Sequence, residues 1–362
     1  MKRRAEHKEP FVRMAKRASI APATAWMIRG AALLGALLMG ALLLLILGHE
    51  PLRIYREMAR GAFGGAMYLK ETARTAVPLL ISAIGIAFAF KMQFWNIGAE
   101  GQILIGGLVS AALMININTS IPNVLLLILM FAGSALGGMI WGLIPTIFKA
   151  KWKTNETLFT LMLNYVAMQI VTFCIVFWEN PKGSNTVGII NQQTRAGWLP
   201  KTFGSEYFWN IVIVAAFTVL MFIYLKYSKR GYEVAVVGES ERTARYAGIS
   251  VKKVLLRTMA VSGAICGVAG FILVSGSGHT ISTSTAGGRG FTAIIVAWLS
   301  RFNTFVMVLV AFGIVFMEKG AIQIASQYGL NENASDVLLG IILFFIIGAE
   351  FFTKYKVERN HK

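Results

Sequence analysis

Ten apolar stretches carrying few charges recur along this chain, and that recurrence constrains its fold more than any single motif. The first, residues 30–48, reads GAALLGALLMGALLLLILG, long enough to cross the roughly 30 Å hydrocarbon core of a bilayer as a helix. Others follow near 75–90, 97–115, 124–148, 158–177, 208–225, 254–274, 291–299, 305–325 and 337–352. The stretch at 291–299 is too short to span alone. Of 362 residues, 56% are hydrophobic and only 14% charged, against about a quarter charged in a soluble domain. The expected fold is an all-α polytopic membrane protein with about 10 transmembrane helices. An apolar core starting as late as residue 30 argues for a retained first span rather than a signal peptide.

Thirty-five Lys and Arg against 17 Asp and Glu give a formal charge of +18. In a soluble protein that excess would suggest nucleic acid. Here it labels sidedness, because basic residues favour short cytoplasmic loops. With the N-terminus inside, the cytoplasmic segments become 149–156, 226–253, the short SRFN at 300–303 and the tail KYKVERNHK. Sparsely charged loops at 116–123, 179–207 and around HTISTSTAGG and SQYGLNENASD fall outside. Both termini are then cytoplasmic. The expected organisation is a basic arm (1–29), a first span (30–48), a loop or surface-lying stretch (49–74), a membrane domain (75–352) and a tail (353–362). Residues 49–74 fit this scheme poorly, carrying Arg53, Arg56, Arg60, Lys70 and Arg74.

Four motifs place polar residues where a membrane helix begins. Residues 94–102, FWNIGAEGQ, join two spans with Asn96, Glu100 and Gln102. Polar groups are costly in lipid and tolerated where irregular backbone lines a cavity, so this is either a tight interfacial turn or part of a solute path. Residues 154–165, TNETLFTLMLNY, open the next helix: Thr154 reads as its N-cap, Glu156 complements the positive helix end, and Thr157, Thr160 and Asn164 share a face. That face either bonds to neighbouring helices or lines the path. Residues 235–250 read as a short charged helix with a start at Glu239, Ser240 or Glu241 and a stop at Gly248, either a docking element or a solvated loop. Finally TAGGRGFT, 285–292, gives a glycine-interrupted start to the short segment. Asn155-Glu156 and Asn331-Glu332 also stand at matching distances before apolar runs that enter the membrane from opposite sides, as expected of two inverted repeats of helices after the extra first span.

Cys174 and Cys266 lie far apart in apolar segments, as packing residues would. No phosphate-binding loop or zinc-type H-E-x-x-H occurs, and the four histidines are scattered. No metal or nucleotide site is therefore expected in the chain, and no catalytic residue. Energy must come from another subunit or from an ion gradient. Glu318 and Lys319, adjacent in a late span, do not make a proton relay.

Over about 72–352 the sequence resembles permease subunits of bacterial ABC importers, the group of nucleoside, simple-sugar and branched-chain amino acid permeases. The residues that carry the resemblance are NIGAEGQ (96–102), Asn155-Glu156 with LMLNY (161–165), Val237-Gly238-Glu239 through ARYAGI (244–249) and Gly290-Phe291-Thr292. The NIGAEGQ form, the basic arm and the extra first span are most similar to the longer nucleoside permease. The resemblance implies a noncatalytic subunit of the plasma (inner) membrane. Its implied partners are a cytoplasmic ATPase that binds ATP and Mg, a second homologous permease and an extracytoplasmic substrate-binding lipoprotein. It further implies that Gly238, Glu239, Glu241, Arg242, Arg245, Tyr246 and Gly248 belong to a coupling helix seated on the ATPase. The expected nucleoside pathway is lined by Phe94, Asn96, Glu100, Gln102, Asn155, Asn164, Phe291, Thr292 and Trp298. Ribose-like sugars or branched-chain amino acids are the alternative cargo. A stand-alone ion-coupled transporter is the competing class, and a membrane enzyme is disfavoured because no nucleophile, base and orienting group come together.

Overall fold

A computed structural model describes residues 12–16 and 21–328, and beyond them positions 337, 340, 341, 344, 345, 347–349, 351–353 and 355–359. The chain divides into two compact units, Met1–Tyr68 with Phe316–Lys362, and Leu69–Val315.

In the first unit, α1 (Pro22–Ile46) and α2 (Pro51–Phe63) meet at a sharp bend, 114° between 30–46 and 51–61. The unplaced basic stretch is thus helical over α2, whose Ile54 and Met58 are buried against Leu44 and Ile324 while Arg53, Arg56 and Arg60 point outward. A proline at the start of each helix supplies a φ suited to the first turn. The chain ends contain the only strands among the described residues: β1 (Val12–Lys16) pairs antiparallel with β2 (Tyr355–Arg359). Helices otherwise account for the regular structure.

The second unit is a helical bundle. Following the end of α3 (Ala66–Lys91) come α4 (Ala99–Ile117), α5 (Asn123–Trp152), α6 (Glu156–Trp178) and α7 (Phe208–Tyr227). The short α8 (Lys229–Glu239) and α9 (Glu241–Tyr246) lead to α10 (Val251–Phe271), which continues as a π-helical segment, Ile272–Gly278. Then α11 (Arg289–Leu299) precedes α12 (Thr304–Tyr328), which runs into the first unit. Among the described residues, seven helices are long and apolar enough to cross a membrane, or eight if the bent α1–α2 pair counts as one span. The difference from ten has two sources. At 11 residues α11 is too short, as its sequence requires, and 337–352 is described only in interrupted pieces, with 338, 339, 342, 343, 346 and 350 outside the described residues.

Burial ranks the helices. The most apolar windows of α3 and of α10 with its π-helical extension are 89% and 83% buried, whereas those of α5 and α7 are 22% buried and show their apolar faces to the surroundings. Lipid is as apolar as leucine, so close packing rather than water exclusion must hold such helices together. Three glycines on α10 provide it. A Cβ on Gly263 would strike the Gly138 carbonyl, one on Gly267 the Ser134 carbonyl, and one on Gly270 the backbone of Ile103 and Gly107. Hydroxyls add interhelical bonds: Ser134 donates to the Gly106 carbonyl (2.8 Å) and Ser262 to that of Gly85 (2.7 Å).

Candidate functional site

Between α3 and α4 the chain turns through Gln93, at φ 59°, and closes a polar knot. The Asn96 carboxamide accepts from the Gly98 N–H (3.0 Å) and pairs with Gln102 in both directions (3.3 Å each). From α6, Asn164 donates to the Ile97 carbonyl (2.9 Å) and accepts from the Gly101 N–H (2.8 Å), while the Thr160 hydroxyl accepts from the Ile97 N–H (3.2 Å). Each is buried, so every polar group in the knot is matched within the protein. The cap of α6 is Asn155, whose side chain accepts from the Leu158 N–H (3.2 Å); Thr154 stands one residue outside, its hydroxyl without a partner among the described residues. Lys149 and Glu156 form an ion pair across the α5–α6 turn (2.6 Å).

Glu100 has a different partner. Its two carboxylate oxygens accept from the N–H groups of Gly288 and Gly290, each at 2.7 Å, at the start of α11. Those N–H groups carry the positive end of the helix dipole and have no partner within α11. Gly288 has φ 73° and Gly287 φ 57°, and a Cβ on Gly290 would overlap the Glu100 backbone. The glycines at 287–290 are therefore the condition for the carboxylate to reach the helix.

Contacts with α4 and α5 establish how deep this clasp lies. Gln102 faces Gly142, ten residues, or about 15 Å of helix, short of Trp152. Gly107 faces both Val274 and Ile281, each 3.4 Å from where its Cβ would stand. The chain therefore rises along α10 past Gly107, turns at His279 (φ 51°), and comes back beside α4 until Gly290 meets Glu100. Residues 280–288, expected as an external loop, thus return into the bundle without forming a helix.

The expected pathway residues divide sharply. Phe94, Asn96, Glu100, Gln102 and Asn164 are all at most 8% exposed. Asn155 is exposed but engaged as a cap. Phe291 and Trp298 are more than 40% exposed, and Thr292 is half-buried with its hydroxyl on the Gly288 carbonyl (3.3 Å). Beside Trp298 stands an aromatic residue not singled out in the sequence: Trp95, 43% exposed, with its ring centroid 5.3 Å away. Its neighbour Phe94 points inward, so the aromatic face falls one residue later than expected.

At the end of the bundle where α3 stops, α9 is held at both ends. The Ser240 hydroxyl accepts from the Thr243 N–H (3.2 Å) and Gly248 at φ 74° terminates it. Ala244 alone of the helix is buried; Glu241, Arg242, Arg245 and Tyr246 are exposed, and so is Glu239 just before it. Arg245 and Glu241 pair along the helix (3.3 Å). In α8, Gly238 packs so closely on the Lys91 carbonyl that a Cβ there would overlap it, and Glu233 pairs with Arg257 of α10 (2.7 Å).

The opposite end is covered by residues 179–207. Trp198 stacks on His279 (3.7 Å, 5°), with the Arg195 guanidinium 5.9 Å from the indole centroid, around a cavity of about 240 Å³ also lined by Asn123, Lys201 and Glu206. Burial pushes the His279 imidazole down to about 4, leaving it neutral at pH 7. A hydrogen bond from Lys201 holds the Glu206 carboxyl below its usual range. N–H groups of Gly183 and Asn185 do the same for Glu179. Among the described residues, no three His, Cys, Asp or Glu side chains converge to hold a metal ion. Asn331 and Glu332 lie outside the described residues.

Residues 68–347 match the family described as branched-chain amino acid transport system permease components. Three relatives are each 30% identical to the chain. They are a glucose ABC transporter permease (TsgB13) of Haloferax volcanii, over 92% of this chain and 90% of its own, a guanosine ABC transporter permease (NupP) of Bacillus subtilis, over 84% and 88%, and a nucleoside ABC transporter permease (NupB) of Lactococcus lactis, over 87% of both.

Proposed function

Since the chain belongs to the permease components of the branched-chain amino acid transport family, a group of multi-pass membrane proteins, we propose that it is the noncatalytic membrane subunit of an ATP-driven nucleoside importer. Its partners in this reading are a cytoplasmic ATPase that binds ATP and Mg, a second homologous permease, and an extracytoplasmic lipoprotein that delivers the solute. Two of the relatives carry guanosine or nucleoside in their names, which supports the choice of cargo.

The observation that carries the ATP-driven part is the presentation of α9. A six-residue helix capped at both ends presents two arginines, a glutamate and a 93% exposed tyrosine as one ordered surface, which suits the seating of another protein. Its movement has a rigid route inward. Gly238 abuts the end of α3 and Arg257 ties α8 to α10, the two most buried helices. From the end of α3 the Asn96 knot leads to α4, and Glu100 carries the displacement to α11. In alternating access these elements would rock together. Asn96, Glu100, Gln102 and Asn164 then hold the frame, while Phe291, Thr292 and Trp298, with Trp95, stand beside the passage and present aromatic faces suited to a base.

The test is ATP-dependent uptake of uridine and guanosine by the complete complex in vesicles, with glucose, ribose and leucine as competitors. Uptake that needs the ATPase and is displaced by nucleosides alone is the expected result. Displacement by glucose would favour the sugar reading, for which the Haloferax relative speaks. Uptake by this chain alone that collapses with an ionophore would instead make it an ion-coupled transporter.

A further inference from the structure

Non-helical backbone is rare at the depth of residues 280–288, because hydrocarbon offers its N–H and C=O groups no partner. The segment begins near the middle of the bundle: Ile281 faces Gly107, whose neighbour Gly106 receives the Ser134 hydroxyl, 11 residues from one end of the 30-residue α5 and 18 from the other. Its side chains are hydroxyls in a row, Thr280, Ser282, Thr283, Ser284 and Thr285, with no charge. Two of them shape the chain: Thr285 accepts from the Ser282 N–H (2.8 Å), and the Ser282 hydroxyl bonds to those of Ser284 (3.0 Å) and Thr285 (3.3 Å). Ile281 and Ala286 anchor the segment inward, whereas Thr283 and Ser284 are exposed. The Thr283 hydroxyl and the N–H groups of Thr283, Ser284 and Gly287 have no partner among the described residues. Such groups would be strongly disfavoured facing lipid, which offers them no hydrogen-bond partner. The surroundings must therefore supply polar partners.

We propose that residues 280–288 are the mid-membrane lining of the solute passage, and that Thr283 and Ser284 bind the sugar hydroxyls of the transported molecule. The proposal rests on the importer reading and specifies where its cargo is held. Uncharged hydroxyls and open backbone N–H groups suit a neutral polyol, since each bond formed replaces one with water at small net gain, and the solute can leave again. Anchoring at both ends keeps the lining in place: the turn at His279 on one side, the Glu100 clasp on the other.

The experiment uses the complete complex in lipid nanodiscs, open to reagent on both faces, with Cys174→Ala so that this chain keeps only the buried Cys266, and labelling is read on this chain alone. Ser284→Cys should react with a charged methanethiosulfonate reagent, and millimolar uridine should slow that reaction several-fold. Leu220→Cys, on the exposed apolar face of α7, should stay unreactive. Thr283→Ala should lower uptake roughly three- to tenfold, one hydrogen bond's worth, with Thr283→Ser restoring it. A Ser284→Cys thiol as inert as Leu220→Cys would overturn the proposal. So would a reactive thiol that uridine, ribose and glucose all fail to protect while Thr283→Ala transports normally. If the complex moves no nucleoside but ribose or glucose protects the thiol, the nucleoside reading fails and the lining stands.

Discussion

Two breaks in helical structure lie side by side within the bundle, and they treat their polar groups in opposite ways. At 96–102 the side-chain amides close on the backbone and on each other, with Asn164 and Thr160 completing the set. At 280–288 the Thr283 hydroxyl and the N–H groups of Thr283, Ser284 and Gly287 have no partner among the described residues. The first region carries the stronger polar residues and is the scaffold; the second carries only serine and threonine and faces outward from the packed core. On the proposal made above, unsatisfied polarity marks the passage better than polarity itself does. Glu100 joins the two, since it stands in the closed region and holds the end of the open one.

Breaking that joint should have the largest effect. Glu100→Ala strands the buried Gly290 N–H, at about 1–3 kcal/mol, together with the half-buried Gly288 N–H, and is expected to abolish uptake and lower the melting temperature of the purified protein by several degrees. Glu100→Gln keeps one acceptor and should fall between. Unchanged melting of Glu100→Ala would mean that the clasp does not hold α11. Gly290→Ala approaches the same contact from the other side: its Cβ overlaps Glu100, so about 1–3 kcal/mol of destabilisation is expected from overpacking, read by thermal denaturation.

Replacing Arg242, Arg245 and Tyr246 with alanine tests the distant end of the frame. These exposed residues should contribute within about 0.5 kcal/mol each to stability, so uptake and ATPase association should be lost while melting is unchanged. Normal uptake would remove α9 from the coupling route.

The smallest effect is expected where the open segment begins. Burial lowers the His279 pKa to about 4, below the roughly 6.5 of an unfolded histidine. Between these values the unfolded chain binds a proton that the native one does not, so stability should decline as pH falls from about 6.5 toward 4. His279→Gln should shrink that slope in melts between pH 7.5 and 4.5, and an unchanged slope would point to other groups.

Much of this was legible in local sequence. The apolar spans, the half-length of α11 and the boundaries of α9 all follow from patterns a few residues long: uncharged runs, a capping serine, a glycine stop. The Gly263-x-x-x-Gly267 spacing was also a readable packing signal. Other features were not local. Thr154 and Asn155 are equivalent as caps by type, and the chain's path into the helix decided for Asn155. Of the adjacent aromatics Phe94 and Trp95, one is buried and the other exposed, a choice made by the turn at Gln93.

By itself the sequence determined that this chain crosses a membrane many times, which helix ends are capped, and what family it resembles, because hydropathy and caps act over one or two turns. Only the tertiary structure decided that Glu100 meets Gly288 and Gly290, 188 and 190 residues away, and that a serine–threonine run resembling an external loop turns back into the bundle. Nothing in a local pattern records depth. A hydroxyl-rich segment reads alike in water and in a protein cavity, and which surrounds it depends on how the neighbouring helices pack.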